Sequence, residues 1–400
     1  MRRGCLVALA GCSFSIGAAT DARITDGDGS DATVGDGADS DVPAEIDAAG
    51  RDVAHVPADI DASFAGTGPL SVMNATINTG NTGTPPTLSV ALPPGVRLIV
   101  SAQDTGGPEL AILEIGSLEV TGTLRVIGAR PLVIVASTTI VVNVIDASAQ
   151  RSTPGAGGYG ARGGPGAGGD GRVVGSANAG GGGGGFGTAA AAGQTSGTAV
   201  GGDAGASYGT PALAILDGGS GGGNMSPPCA GQAAGAGGGA IQLHAGTSIT
   251  VSGSIRANGG GGDGGVDCGA TGTSGTGGGS GGAIDLQAPL LLGTGLLLAQ
   301  GGGGGGATDV SMQTLGGDGG DGLATIAAAP AGSATGTGIA GEVNRGGSGG
   351  YRDAAPPPLT AISGGMSGNG GGGGGAVGRI LVRGAAVGGL GASPAAVVVP

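Results

Sequence analysis

The sequence predicts an all-β chain. We expect a parallel β-helix, or β-solenoid, with short coils and long glycine-rich insertions, behind a disordered N-terminal tether. Three observations predict it. Short stretches alternate aliphatic and polar residues with period two, which turns one strand face in and the other out. Those stretches align in columns and recur along the chain, as stacked repeats do. Finally, the 400 residues include 103 glycines, no Trp, three Tyr and three Phe. A thick core needs large side chains, whereas a thin core repeated many times does not. The usual glycine share is only about 7%.

The chain opens MRRGCLVALAGC. Arg2 and Arg3 form a basic start, and Cys5 to Ala10 form an apolar run at the short end of the usual span. Leu9-Ala10-Gly11-Cys12 then resembles the bacterial lipobox, in which a peptidase cuts before a cysteine that receives acyl chains. Residues 1–11 are therefore expected to be a signal peptide and Cys12 the lipidated residue. The bland reading is an ordinary N-terminus that happens to contain Ala-Gly-Cys. Two or more acyl chains hold a protein stably on a membrane. No other segment reaches the 18 apolar residues of a spanning helix. By resemblance to bacterial lipoproteins, Ser13 favours the outer membrane, so the expected location is the outer membrane or cell surface.

Residues 12–64 carry eleven Asp and one Glu against two Arg. The segment DGDGSDATVGDGADSDVPAEIDAAG (Asp26–Gly50) has no periodicity, and Gly and Pro run through it. This composition predicts an acidic, self-repelling tether. Asp26-x-Asp28-x-Ser30 looks like the start of a calcium loop. Such a loop needs Gly at its sixth position and Glu at its twelfth, and those positions hold Asp31 and Gly37. His55 reads as a solvated tether residue. The chain has a net charge of −13, no Lys and 15 Arg. That excludes nucleic acid as an expected partner, because phosphate binding needs a cationic face.

Residues 65–115 read as an N-terminal β cap, with two strands in TLSVALPPGVRLIVSA around Pro93-Pro94-Gly95. Residues 116–400 read as the solenoid. GSLEVTGTLRV (from Gly116), STTIVVNVIDA (from Ser137), TSITVSGSIRA (from Thr247) and LLLGTGLLLA (from Leu290) align as coils. Leu118, Ile140 and Ile249 occupy one column, Val120, Val142 and Val251 the next, and Leu124, Ile145 and Ile255 a third. Short strands precede them at Leu132, Ala240 and Ala283, and Arg379–Arg383 closes the set. Gly122 and Gly253 are expected at tight corners between strands. The glycine-rich insertions cover about 150–237, 259–281 and 301–377. They are either flexible loops or extended segments packed like polyglycine II, and their scarcity of charge favours partial packing.

Beyond Cys5 and Cys12, Cys229 and Cys268 remain, an even pair in an exported chain. They are expected to form a disulfide across two insertions. Two free thiols are the alternative. A metal site lacks partners, since His244 is the one nearby His and no Cys-x-x-Cys exists. His244 is expected to face solvent on its strand, opposite Ile241 and Leu243. No catalytic residues emerge. The carboxylates Glu114, Glu119, Asp146 and Asp285 are scattered, whereas glycosidases need a close pair. Tyr159, Tyr208 and Tyr351, with Phe186, are the available sugar platforms. Their bland role is to pin glycine loops onto the stack. No cofactor and no metal are expected.

The lipobox, the Asp-Ala tether, RPLVIVAS (Arg130–Ser137) and the recurring GGGAIxLxA…GxIxANGGGG resemble a group of glycine-rich lipoproteins abundant in myxobacteria. The resemblance covers most of residues 1–384 and implies no activity. The expected function is a surface-exposed lipoprotein with a structural or adhesive, non-catalytic role. The alternative is a polysaccharide-binding or polysaccharide-active β-helix protein. The expected partners are a membrane through the acyl chains, and an extracellular glycan or another surface protein.

Overall fold

The computed structural model describes residues 53–56, 66–104, 106–226, 230–268, 272–308, 315–333, 345–361 and 368–399. Among these the chain is all-β, with no helix. Its strands are β1 (Pro69–Asn78), β2 (Thr87–Leu88), β3 (Arg97–Ser101), β4 (Leu110–Ile115), β5 (Ser117–Ile127), β6 (Leu132–Ala136), β7 (Thr139–Asp146), β8 (Gly171–Val174) and β9 (Ala177–Asn178). They continue with β10 (Met225–Ser226), β11 (Ala240–Ala245), β12 (Ser248–Arg256), β13 (Ala283–Gly293), β14 (Leu296–Leu298), β15 (Arg379–Val387), β16 (Gly391–Ser393) and β17 (Val397–Val399). Fourteen of them form one mostly parallel sheet; β8, β9 and β10 form a small second one.

The large sheet contains two ladders. The first stacks β1, β5, β7 and β12, then the end of β13 with β14, and the end of β15 with β16. The second stacks β4, β6, β11 and the starts of β13 and β15. β2 and β3 pair antiparallel with β1 and β4, so the N-terminal end of the parallel stack meets antiparallel strands.

The aliphatic columns are in register. Leu118 pairs with Ile140, Ile140 with Ile249, and Ile249 with Leu291. Leu124, Ile145, Ile255 and Leu297 stack likewise. β1 adds Leu70 and Val72 to these columns. In the second ladder Ile134, Leu243, Leu286 and Val382 stack. The two ladders bury these residues in one continuous core. Each such side chain contributes about 1.5–3 kcal/mol on burial. β7 and β12 thus lie side by side although the insertion 150–237 separates them in sequence.

Gly122 and Gly253 do not make corners. β5 and β12 run through them with a local register shift. Glycine is needed there for close approach: a Cβ on Gly122 would lie 2.0 Å from the Met73 carbonyl oxygen, and one on Gly253 would lie 2.3 Å from that of Asn143.

The insertions are packed throughout their described glycine runs, and the packing has a period of three. In segment 273–282, Gly275, Gly278 and Gly281 donate their N–H groups to Gly370, Gly373 and Ala376. Thr276, Gly279 and Gly282 donate to Asp263, Gly260 and Ala257. Gly277 and Ser280 donate to Gly223 and Ser220. The same segment accepts from Gly181 and Gly184, from Gly235 and Gly238, and from Gly302 and Gly305. It is therefore ringed by six segments, three as acceptors and three as donors. Three residues per turn is the period of the polyproline II helix, here built from glycine.

Segments 180–187 and 299–308 are ringed in the same way. They hold unbroken runs, Gly180–Gly185 and Gly301–Gly306. Outer segments relax the rule at every third residue. Gly316 to Gly322 reads GGDGGDG. Its glycines pack inward, while Asp318 is exposed and Asp321 partly so. Val200, Asp203 and Ala206 likewise sit three apart on an outer segment, all exposed. The array joins the sheet without a break, because Ala283 N–H bonds to Gly239 O and Arg379 N–H to Gly282 O.

A Cβ on Gly277 would lie 1.9 Å from the Gly182 carbonyl oxygen, whereas one on Gly160 would meet nothing within 4 Å. Gly277→Ala is expected to destabilise the fold by about 3 kcal/mol or more, the upper range for overpacking. Gly160→Ala should stay within about 0.5 kcal/mol of the wild type, as neutral surface changes do. Urea unfolding of the two variants checks this, and equal midpoints would contradict the packing.

Candidate functional site

The face of the second ladder that points away from the core carries a cluster of buried polar side chains. Two rows cross its strands. One runs Ile112, Val133, Gln242, Asp285, Leu381, and the other Glu114, Val135, His244, Gln287, Arg383. Alternation along each strand places these residues opposite Ile241, Leu243, Ile284 and Leu286. On this face β4 and β6 are mostly apolar, β11 and β13 are polar, and β15 carries both Leu381 and Arg383.

This face is covered, which corrects two expectations. His244 points away from the core as expected, but it is 4% exposed and not solvated. His55 is not a solvated tether residue either. It is 8% exposed, and its Nε2 lies 3.2 Å from Asp285 Oδ2. Val53 and Val56 bury beside Leu110, Ile112 and Val133. The Ala54 N–H donates to Gln287 Oε1, and Asp104 N–H donates to the His55 carbonyl. The apolar pair Val53 and Val56, three residues apart in an acidic stretch, is the sequence signal for this docking.

The carboxylates are all engaged. Glu114 pairs with Arg97 at 3.2 Å, Asp146 with Arg125 at 3.1 Å, and Asp285 with Arg383 at 3.4 Å. Glu119 accepts from Ser71 Oγ at 3.2 Å. Glu114 and Asp285 share the face but sit three strand steps apart. At about 4.8 Å per step that is roughly 14 Å, beyond the ~5–9.5 Å of a glycosidase carboxylate pair. Among the described residues no group of three or more His, Cys, Asp or Glu is placed to hold a metal ion.

The structure brings Tyr159 and Tyr208 together. Tyr159 donates to Asp217 Oδ2 at 3.0 Å. Tyr208 donates to the Gly218 carbonyl at 2.5 Å and accepts from Ser220 Oγ at 3.1 Å. Its ring packs on Phe186 with centroids 4.6 Å apart, and Arg379 lies over Phe186 and donates to the Tyr208 carbonyl. Burial holds both phenols well above their ordinary range, with Asp217 adding to the rise at Tyr159. Neither ionises at neutral pH, and both hydroxyls fasten one strand of chain to another. Tyr351 belongs to a different turn, closed by Ala354, and sits against Arg352. Asp217, Ser220 and Gln242 carry no sequence motif, and register alone gives them their partners.

Cys268 is among the described residues, whereas Cys12 and Cys229 lie outside them. No described helix is long and apolar enough to cross a membrane. A cleft beside the last strands, lined by Thr188, Asp353, Arg379 and Val397, holds about 170 Å³, below the ~300–1,000 Å³ of small-molecule sites. No protein-family model, no curated protein and no solved structure matches the chain.

Burial raises the Asp217 carboxyl above its ordinary value of 3.8. The folded chain then holds a proton that the unfolded chain releases, so this group's contribution to stability falls as pH rises above 3.8. Asp217→Asn is expected to remove that decline. Urea midpoints measured from pH 3 to 7 check it, and an unchanged pH slope would contradict it.

Proposed function

We propose that the protein is a lipid-anchored lipoprotein of the outer membrane or cell surface, with a structural or adhesive, non-catalytic role. Its body is a β-solenoid whose insertions leave each coil and return to the next as a glycine array. The observation that carries this reading is the array itself. It fixes long excursions by backbone hydrogen bonds from each inner segment to six surrounding segments, which makes a stiff support from residues without side chains.

Function on a rigid scaffold resides in the loops it holds. The end of the array away from the large sheet gathers such turns. There Asn178 donates to Asn369 Oδ1 at 2.7 Å, and Asn369 donates to Thr308 Oγ1 at 2.7 Å. Gln232 bridges the carbonyls of Gly264 and Ser274, and a disulfide between Cys229 and Cys268 is part of the proposal. Cys12 would carry the acyl chains after loss of residues 1–11, and the acidic tether would hold the body off the membrane. An extracellular glycan or another surface protein is the proposed partner.

A polysaccharide-binding β-helix is the second reading, favoured by the amides and carboxylate of the second ladder's outer face. Cleavage is disfavoured by the carboxylate spacing.

Two measurements test the proposal. Fatty-acid labelling in a bacterial host should mark the full chain and not Cys12→Ala, and label retained by that variant would contradict the anchor. Incubation with a panel of extracellular polysaccharides should release no new reducing ends. Release that scales with protein concentration would contradict a non-catalytic role.

A further inference from the structure

We propose that residues 53–56 are a displaceable strap over a latent carbohydrate-binding face formed by Gln242, Asp285, Gln287 and Arg383. The proposal deepens the polysaccharide-binding reading and rests on it.

The face is built but incompletely satisfied. Gln242 and Asp285 are neighbours in register and fully buried. Asp285 Oδ2 takes both His55 and Arg383, while Asp285 Oδ1 has no hydrogen-bond partner. Gln242 Nε2 donates to Gln287 Oε1 at 3.3 Å, and Gln242 Oε1 has no partner. A buried acceptor without a donor is a penalty carried by the covered state.

The strap is a poor match for what lies beneath it. It offers donors from His55 Nε2 and the Ala54 N–H, while Val53 and Val56 bury in the apolar cluster with Leu110, Ile112 and Val133. His55 also holds the left-handed backbone region, at φ 72°, which residues other than glycine rarely adopt. A better occupant would supply more donors and keep the apolar contact.

Charge selects among such occupants. Arg383 already balances Asp285, so the face favours a neutral donor over a cation. Its polar groups recur along the stack at the strand spacing of about 4.8 Å, which suits successive hydroxyls of a sugar chain. Arg383 and the Gln242 amide can donate in return to hydroxyl or ring oxygens. Phe186 and Tyr208 border the same layer and offer the apolar flank that sugar rings stack on.

The test uses the full chain and neutral polysaccharides. Val53→Ser combined with Val56→Ser loosens the strap without touching the face. If the strap is closed most of the time, opening it tightens binding by the inverse of the open fraction, ~10-fold or more. Adding Gln242→Leu should abolish the gain. In the wild type, bound polysaccharide should speed hydrogen exchange of the Ala54 and Asp104 amides, which read strap displacement even if the variants fold poorly. Equal affinity of wild type and strap variant, with unchanged exchange at both amides, overturns the strap and places binding elsewhere on the protein, leaving the adhesive role intact. Absence of binding by either overturns the latent site, and fatty-acid labelling then still judges the lipoprotein reading separately.

Discussion

The whole molecule depends on the backbone-to-backbone approach that only glycine permits. At Gly180, Gly223, Gly275 and Gly372 a Cβ would fall 1.9 Å from a neighbouring carbonyl oxygen. Real Cβ atoms do not come that near. The missing side chains bring the segments close enough for each N–H to meet a C=O on a different neighbour. Buried backbone groups must be paired, and here pairing comes from many segments at once rather than from one helix or one ladder.

That network is not self-sufficient. Ordering a backbone residue costs about 1–2 kcal/mol, and a hydrogen bond returns a net of about 0.5–1.5 kcal/mol. Glycine has no side chain to add burial. The balance is tipped by the aliphatic strands of the parallel sheet, which fix where each insertion starts and ends. Gly239, Gly282 and Gly378 each precede a strand of the second ladder, and Ala257 and Ala299 each follow a strand of the first. Sheet and array therefore order one another. Neither holds a thick core, and together they bury one thin apolar stack and one polar lattice.

Much of the sheet was legible in the sequence because period-two alternation has a single physical cause. Leu118, Ile140 and Ile249 share a column in the alignment and in space. The second ladder was less legible. Leu132, Ile241, Ile284 and Ile380 read as separate short strands, and only parallel register unites them. The array was partly legible: scarce charge pointed to packing, but the sign of six-fold surroundings was the three-residue spacing of Asp318 and Asp321 and of Val200, Asp203 and Ala206. That spacing is diluted wherever all three faces are covered and every residue is glycine. His55 and His244 misled for a common reason. Alternation tells which way a strand residue points, not whether another segment lies over it. The polar face under residues 53–56 is thus invisible to local pattern, since its cover comes from a stretch that composition marks as tether.

The most direct measurement of the central claim is native-state hydrogen exchange at the glycine runs. If inner segments are held by backbone bonds to surrounding segments, the amides of Gly181–Gly185, Gly301–Gly306 and Gly372–Gly375 exchange as slowly as those of Ile140 and Ile249 in the sheet. They should open only with global unfolding. Exchange of these glycines at the rate of a free chain, beside a protected sheet, would mean that the insertions are flexible loops and would contradict the account.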